Sequence, residues 1–413
     1  MKKLFGVFTL VLILFCISTL TLLPKPKPTP QTEVISRPIT MATPGSHRRI
    51  HVFYYAWYAT PKFDGKWLHW NHRILPHWDK DTRDKFPHEI NYKPPMDIGA
   101  NFYPLAGPYS SADPEVIDYH MQLLRDYVVV FSWWGRKHLA KSCDGEGYVT
   151  DAVFEQYLIA AEKYGTKIAI HLEPYEDISP QSVRQDIEYI HEKYGKYSSL
   201  FRDPDLGGRI IVYLYDSYRT GSTQWKDIFA ADGKHTIRGT PYDVYAIGLV
   251  LDSDLSEAAK SGFDAVYTYF ASDQFTWAST RENWKTLVES AKELNLNVSL
   301  SVGPGYIDTR IRPWNSPNTQ KRENGDYYRS SLRKAVLAGP QFISITSFNE
   351  WHEGTQIEPV RGDASVKDSI LPQPPGDPEH KDGVYRYLDY GSANPNLYMD
   401  ITAEYAHVFE GDP

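Results

Sequence analysis

Cysteine is nearly absent from the sequence, and this excludes a disulfide framework. Only two of the 413 residues are cysteine. Cys16 lies in an N-terminal apolar segment, which leaves Cys143 alone in the rest of the chain, and no CxxC motif for a metal or a redox couple is present. Cys143 belongs to the sequence SCDGEG, which is typical of a polar loop rather than of a reactive thiol.

An excess of positive charge is also absent. The formal net charge of −8 at pH 7 argues against nucleic acid or an anionic membrane surface as the partner, because neither attracts an acidic protein. Aromatic residues are abundant instead, with 30 Tyr and 11 Trp. Their polar ends need partners, so many of these rings should be partly exposed. Clefts that bind sugars use such rings, although ordinary cores use them too.

A single long run without charged residues occurs, at residues 4–23. At about 20 residues it is long enough to cross a bilayer and longer than the core of a cleaved signal peptide. The sequence PKPKPTP that follows must run extended. We therefore expect a cytosolic tail at 1–3, a transmembrane signal anchor at 4–23, a proline-rich stem at 24–48 and a domain outside the cytosol at 49–413. A cleaved secretory signal is the alternative.

Short β-rich segments alternate with amphipathic segments from His51 onward. The strand candidates are HVFYYAWY, YVVVFSWW, KIAIHLEPY, RIIVYLYDSY, DVYAIGLVL, DAVYTYFA, NVSLSVGPG and FISITSFNE. This alternation predicts an α/β fold, a (β/α)8 TIM barrel, with long inserts at 62–111 after strand one and 358–395 after strand eight. A doubly wound sheet is disfavoured, because ATPKFDGKW rather than a glycine-rich turn follows the first strand.

The intervening segments predict helices with one apolar face. In TDAVFEQYLIAAEKYG the apolar positions recur at helical spacing, and Gly165 should end the helix. A Ser or Thr is available as the N-cap of this helix and of two others. In the last helix we expect Leu397, Ile401, Tyr405, Val408 and Phe409 to share the buried face.

The sequence SFNEWHEGT places Glu350 and Glu353 where the last strand ends. If the strand continued, residues three apart would face opposite sides, whereas a turn at Asn349 would let both carboxylates face one cavity. Active sites of such barrels lie at the carboxyl ends of the strands, and glycoside hydrolysis needs two carboxylates at one cleft. The spacing does not fix the distance between them or the stereochemical outcome. A salt bridge from Glu353 to a basic neighbour is the structural alternative.

Other polar and aromatic residues follow the remaining strands and should converge on the same mouth. They are Trp57, Tyr58, Trp133, Trp134, His171, Glu173, Tyr175, Tyr215, Asp216, Tyr267, Tyr269 and, later, Arg312. A zinc site built from His69, His72 and His77 is the rival chemistry, but their spacing fits no HExxH helix. We expect no metal and no cofactor. A lectin without catalysis would explain the aromatic rings but not the paired acids.

The motifs HVFYYAWY, HLEPY, YDSY, TPYD, YTYFAS, SVGPGYIDT, RPWN and SFNEWHEGTQIE together resemble the endo-α-1,2-mannosidases of glycoside hydrolase family 99, over essentially the whole domain. The resemblance implies a (β/α)8 barrel and a retaining, endo-acting, metal-independent enzyme that forms a 1,2-anhydro sugar. It implies that Glu350 is the base acting on the sugar's 2-hydroxyl and that Glu353 is the general acid and then the base. The residues it implies around the cleaved bond are Asn349, Glu173, Tyr215, Tyr269 and Arg312.

The same resemblance bears on substrate and location. Eukaryotic members are often type II membrane proteins of the Golgi, which agrees with the predicted anchor and implies a lumenal domain that trims glucosylated high-mannose N-glycans. Trp134 stands where vertebrate members carry tyrosine and bacterial mannan-degrading members carry tryptophan. This residue, at the outer sugar subsite, favours mannan as the alternative substrate.

Overall fold

Eight parallel strands close into a barrel, as the alternating pattern predicts. The strands are β1 (Ile50–Tyr54), β2 (Val128–Trp133), β3 (Lys167–Leu172), β4 (Arg209–Leu214), β5 (Val244–Leu249), β6 (Ala265–Tyr267), β7 (Asn297–Val302) and β8 (Phe342–Ile345). Each pairs in parallel with the next, and β8 pairs with β1. The predicted barrel and all eight strand positions are confirmed. Most strand residues are apolar because both faces are buried, and the buried polar exceptions include His51, His171 and Ser299.

The computed structural model describes residues 48–139, 141–371, 384–391 and 393–411. The segment predicted to be a membrane anchor, 4–23, and nearly all of the predicted stem lie outside these residues. Within them, no helix is long and apolar enough to cross a membrane.

Ten α-helices lie within the described residues. They are α1 (Pro61–Asp64), α2 (Lys80–Arg83), α3 (Pro114–Leu123), α4 (Asp151–Tyr164), α5 (Pro180–Tyr194), α6 (Ser222–Phe229), α7 (Ser256–Lys260), α8 (Trp284–Glu293), α9 (Asp326–Ala338) and α10 (Leu397–Glu410). Gly165 ends α4 at φ +76°, in the left-handed region that glycine tolerates best.

Two details of the helices differ from the sequence prediction. Ser179 caps α5 with its hydroxyl, but Thr150 at the start of α4 makes no side-chain cap. The Thr150 hydroxyl instead accepts a hydrogen bond from the backbone N–H of Trp134, at 3.2 Å. In α10 the buried residues are Tyr398, Ile401, Thr402 and Ala406, whereas Val408 is exposed.

The two long inserts pack against each other beside the barrel mouth. The backbone N–H of Leu105 donates to the carbonyl of Pro359 at 2.9 Å, and that of Arg361 donates to Tyr103 at 2.9 Å. The second insert also contains a small antiparallel pair, Ser365–Lys367 with Val384–Arg386. One wall of the cleft above the barrel is therefore built from segments far apart in sequence.

Candidate active site

The chain turns immediately after Asn349, so the strand does not continue through the two glutamates. Trp351–Glu353 forms one 3₁₀ turn, and Glu350 precedes it as the N-cap, accepting a hydrogen bond from the His352 backbone N–H at 3.2 Å. Residues three apart are nearly eclipsed in a 3₁₀ turn, so Glu350 and Glu353 project on the same side. Gly354 ends the turn at φ +58°.

Glu350 is buried, with 4% of its surface exposed. Burial raises the pKa of its carboxyl well above the ordinary value, and the nearby Glu353 carboxylate raises it further. The His352 N–H and the Arg312 guanidinium act in the opposite direction, and the more distant Glu173 adds to the increase. Together, burial and Glu353 make the protonated form of Glu350 more favourable than in an exposed carboxyl group.

Glu353 is more open, with 30% of its side chain exposed, and Arg312 Nη1 lies 3.9 Å from its Oε1. Burial raises the pKa of Glu353, while Arg312 partly opposes this increase. Arg312 is itself held by Asp308, at 3.0 Å. The contact between Arg312 and Glu353 is the salt bridge considered from sequence, but it is long, and Arg312 has its closer partner elsewhere.

Glu173, Tyr215 and Tyr269 form a polar floor beside the two glutamates. Glu173 Oε1 lies 2.8 Å from His171 Nδ1, and the Tyr215 and Tyr269 rings meet edge to face at 5.0 Å. The carboxylates of Glu353 and Glu173 contribute to the raised pKa of both tyrosines, after burial. The structure therefore brings these three residues to the same cavity as Glu350 and Glu353.

Tyr269 has an unusual backbone conformation for its residue type, with φ +55°. Its N–H donates to Ser301 Oγ at 2.7 Å, its carbonyl accepts from Thr346 Oγ1 at 2.5 Å, and its hydroxyl is hydrogen-bonded to that of Tyr55. These three contacts stabilise the strained backbone conformation of Tyr269.

Asn349 is fully buried and its side chain is already occupied. Its Oδ1 accepts from the Tyr55 N–H at 2.7 Å, and its Nδ2 donates to the Tyr55 carbonyl at 2.9 Å and to the Tyr109 hydroxyl at 3.1 Å. The amide thus joins the end of β1 to the turn that carries Glu350. Its contact with substrate stays a prediction, and the observed contacts describe a positioning residue.

Trp134 is 7% exposed and is the outer member of a stack of three rings. The Trp57 ring stacks on it at 5.2 Å with an interplanar angle of 28°, and His69 stacks on Trp57 at 4.2 Å with an interplanar angle of 13°. The Trp57 indole is therefore packed against both an indole and an imidazole.

Hydrogen bonds hold the His69 ring in place on both sides. The Gly99 carbonyl accepts from His352 Nδ1 at 3.0 Å, so Nε2 of neutral His352 accepts from His69 Nδ1 at 3.3 Å. His69 Nε2 lies 2.8 Å from Asp144 Oδ2, and Asp144 Oδ1 accepts the backbone N–H groups of Glu146 and Tyr148. The His352 pKa is lowered well below its ordinary value by burial, so His352 is neutral. His69 thus bridges His352 and Asp144 through its two ring nitrogens.

Of the three histidines considered as zinc ligands, His69 and His72 are neighbours, with ring centroids 6.5 Å apart, and His77 lies elsewhere. His72 lies beside His352, with ring centroids 4.7 Å apart, whereas His77 contacts Trp78 and Trp314 at the surface. Across the described residues, no group of three or more His, Cys, Asp or Glu side chains is arranged to hold a metal ion.

Several residues around the site were not singled out from sequence. Tyr55, Tyr109 and Asp144 hold Tyr269, Asn349 and His69, respectively, through the contacts described above. Tyr55 lies within the first strand motif, but Asp144 occurs in a loop without periodicity. Such partners are set by tertiary contacts, so the sequence carried no signal for them.

Comparisons of the sequence and of the structure with known proteins agree on one family. The sequence model described as Glycosyl hydrolase family 99 matches residues 46–411. The glycoprotein endo-α-1,2-mannosidase of Xenopus laevis is 40% identical over 372 residues, covering 89% of this chain and 78% of the relative. A glycoprotein endo-α-1,2-mannosidase-like protein of Homo sapiens is 39% identical over 366 residues, with coverages of 87% and 75%. The solved structure of the GH99 endo-α-mannosidase from Bacteroides thetaiotaomicron superposes with a TM-score of 0.75 at 38% identity, covering 88% of this chain and 98% of that one.

Proposed function

The chain belongs to glycosyl hydrolase family 99 and is an endo-α-1,2-mannosidase, and from this premise we propose which residues carry the reaction and which glycan they act on. The observation that carries the proposal is the 3₁₀ turn after β8, which has Glu350 as its N-cap and Glu353 as its last residue, beyond the carboxyl end of the last barrel strand. Paired carboxylates in such a cleft are the machinery of glycoside hydrolysis.

In the proposed first step, the Glu350 carboxylate removes the proton from the 2-hydroxyl of the mannose. The freed oxygen attacks C1, the bond from C1 to the leaving oxygen breaks, and that oxygen takes the proton of Glu353. The product is a 1,2-anhydro sugar. In the second step the Glu353 carboxylate removes a proton from water, which attacks C1 and opens the ring, and O2 regains its proton from Glu350. Configuration at C1 is inverted twice and so retained.

This cycle needs exactly one proton on the two carboxyl groups at the start. Raised pKa values and mutual repulsion make the pair ionise in sequence, so it passes through such a state. In the free protein Arg312 favours charge on Glu353, whereas the proposed roles require the proton there. Bound substrate must therefore shift the proton, and the sugar's 2-hydroxyl, by donating to Glu350, favours the required form.

The remaining residues are proposed to bind the sugars around the cleaved bond. Glu173, Tyr215 and Tyr269 offer hydroxyl and carboxylate groups at the floor, Arg312 orients Glu353, and Asn349 supports the turn. Trp134 lies in the ring stack and is proposed to contact the outer, non-reducing sugar.

We propose glucosylated high-mannose N-glycan as the substrate, and a Golgi membrane location with the catalytic domain in the lumen. The uncharged segment 4–23 supports a resident membrane enzyme, for which glycan trimming is the fitting task. Trp134 favours a second candidate, an endo-α-1,2-mannanase acting on mannan. Secretion after cleavage of the N-terminal segment is the alternative location.

Incubation of the purified protein with glucosylated high-mannose glycan tests the proposal. We expect release of a glucosyl-mannose disaccharide, detected by mass spectrometry, and no release by a Glu350→Gln variant. Release from α-mannan alone would support the mannanase. Binding of either glycan without any release would instead describe a carbohydrate-binding protein.

The reaction is expected to proceed without a metal ion, because the proposed steps use only carboxyl groups. Dialysis against a chelator should leave the rate within about twofold of the untreated protein, with a chelator-free dialysis as control. A rate that collapses and returns with added zinc or calcium would contradict this expectation.

A further inference from the structure

Two tryptophans form an exposed aromatic patch outside the cleft. Trp78 is 81% exposed, and its ring meets that of Trp314 edge to face at 5.3 Å. His77 fills the angle between them, with ring centroids 3.7 Å from Trp78 and 4.6 Å from Trp314. We call Trp78 and Trp314 the indole platform.

The platform is held in place by hydrogen bonds between two loops. Trp314 Nε1 donates to the Leu75 carbonyl at 3.2 Å, and the Leu75 N–H donates to the Ile311 carbonyl at 2.8 Å. Insert one is thus fixed to the loop between β7 and α9. Trp314 is therefore fixed by hydrogen bonding, and Trp78, which supplies the large exposed apolar surface, packs against it.

The indole platform lies near Arg312, which contacts Glu353 of the proposed cleft. Trp314 is two residues from Arg312, so their Cα atoms lie within roughly 7 Å, and Arg312 Nη1 is 3.9 Å from Glu353. Asp308 ties the segment together by accepting from Arg312 at 3.0 Å and from Asn315 at 2.9 Å. Along the chain, the indole platform is thus close to the arginine that contacts Glu353.

The position of the indole platform near Glu353 indicates which ligand it would bind. In the proposed reaction Glu353 protonates the leaving oxygen, so the sugars of the leaving group lie on its side of the cleft. A pyranose presents a face of C–H groups that packs on an indole, and a fixed ring loses little entropy on binding. We propose that the indole platform is a distal subsite that stacks a mannose residue on the leaving-group side of the cleaved bond. This inference rests on the proposed function.

Two substrates separate an effect on sugar binding at the indole platform from an effect on the chemical steps. One is the high-mannose glycan, and the other is the glycosyl fluoride of the released disaccharide, which has no leaving-group sugar. For Trp78→Ala we expect kcat/KM on the glycan to fall about five- to tenfold, mainly through KM, as for the loss of one aromatic contact. Activity on the fluoride should be unchanged. Trp78→Phe should retain most of the glycan activity, and Leu337→Ala, which removes another exposed apolar side chain (77% exposed), should retain all of it.

Three outcomes would overturn the inference. They are an equal loss on both substrates, no loss on either, or binding to phosphatidylcholine vesicles that Trp78→Ala abolishes, which would make the platform a membrane contact. If the wild-type protein cleaves neither substrate, the proposed function fails separately. Calorimetric titration of Glu350→Gln with α-1,2-mannotriose then still tests the subsite, because the further change Trp78→Ala must weaken that binding.

Discussion

Burial of Glu350 makes its carboxylate costly to ionise in the folded protein, and this couples catalysis to stability. We expect Glu350→Gln to lose about 10²–10⁴-fold in kcat, as for a general base, with a similar loss for Glu353→Gln. The folded protein should nevertheless become more stable at neutral pH, because the amide has no charge to bury. A loss of stability matching the loss of activity would instead support a salt-bridge role.

The sign of this effect follows from the direction of the pKa shift. The folded-state pKa of Glu350 is raised above the ordinary value of 4.5, so its contribution to stability is full below that pH and is lost as pH rises through the folded-state pKa. Thermal melting should give equal Tm values for wild type and Glu350→Gln near pH 4. At pH 7 the variant should melt about 2 °C or more higher. The exposed substitution Glu289→Gln is the control and should show no such divergence.

Trp134 is expected to set the preference for the outer sugar. Glucose and mannose differ at the 2-hydroxyl, and an indole face has no hydroxyl to bind that group, whereas a tyrosine does. A site that hydrogen-bonds a group discriminates more strongly than one that only stacks. Trp134→Tyr should shift the ratio of kcat/KM towards the glucosyl-capped substrate by about 1 kcal/mol. The test measures kcat/KM on the glucosyl-capped and the mannosyl-capped substrate for wild type and variant, and the error in protein concentration cancels in the ratio. An unchanged ratio would show that Trp134 does not set the preference.

At the scale of elements, the 3₁₀ turn that carries Glu353 depends on Gly354. A β-carbon there would lie 2.6 Å from the carbonyl and side chain of Ile307, and φ of +58° is itself unfavourable for alanine. We expect Gly354→Ala to lower Tm by several degrees and to lower kcat by displacing Glu353. Gly65→Ala is the matched control, since φ there is +73° but no atom lies within 4 Å. A Gly354→Ala variant no worse than this control would show that the turn tolerates displacement.

The elements also show where sequence reasoning is sufficient. The barrel strands were predictable because burial on both faces makes them apolar runs, and the turn at Asn349 was considered because two acids follow such a run. The sequence could not predict that the Thr150 hydroxyl bonds to the Trp134 N–H instead of capping α4, because this hydrogen bond depends on the neighbouring strand β2. On α10 the predicted face is largely correct, because Ile401 is buried and Leu397, Tyr405 and Phe409 pack against the core, whereas Val408 is exposed. The Arg322 guanidinium packs over the Tyr398 ring and Tyr398 meets Tyr390 at 4.5 Å, so tertiary contacts set the rotation of the helix.

At the scale of the whole molecule, the cleft is assembled from inserts that the barrel alone does not specify. Arg310 joins them: its Nη2 pairs with Asp97 of the first insert at 2.5 Å, and its Nη1 donates to Ser369 of the second at 2.9 Å. The lengths and positions of the inserts followed from the strand pattern. Their contacts with each other, and the contact of His69 in the first insert with Trp57, depend on folding of the complete domain.

The proposed location rests on residues 4–23, and it is tested on the full chain. A segment of about 20 uncharged residues inserts favourably because each apolar side chain leaves water, whereas an arginine at its centre costs about 2.5–3.5 kcal/mol. We expect the expressed protein to resist alkaline extraction from membranes and to keep residues 1–23 on N-terminal sequencing. The double substitution Leu12→Arg and Leu14→Arg should abolish membrane insertion, while Lys25→Gln, just outside the segment, should not. A mature N-terminus within 24–48 and activity in the culture medium would show that the segment is a cleaved signal and that the enzyme is secreted.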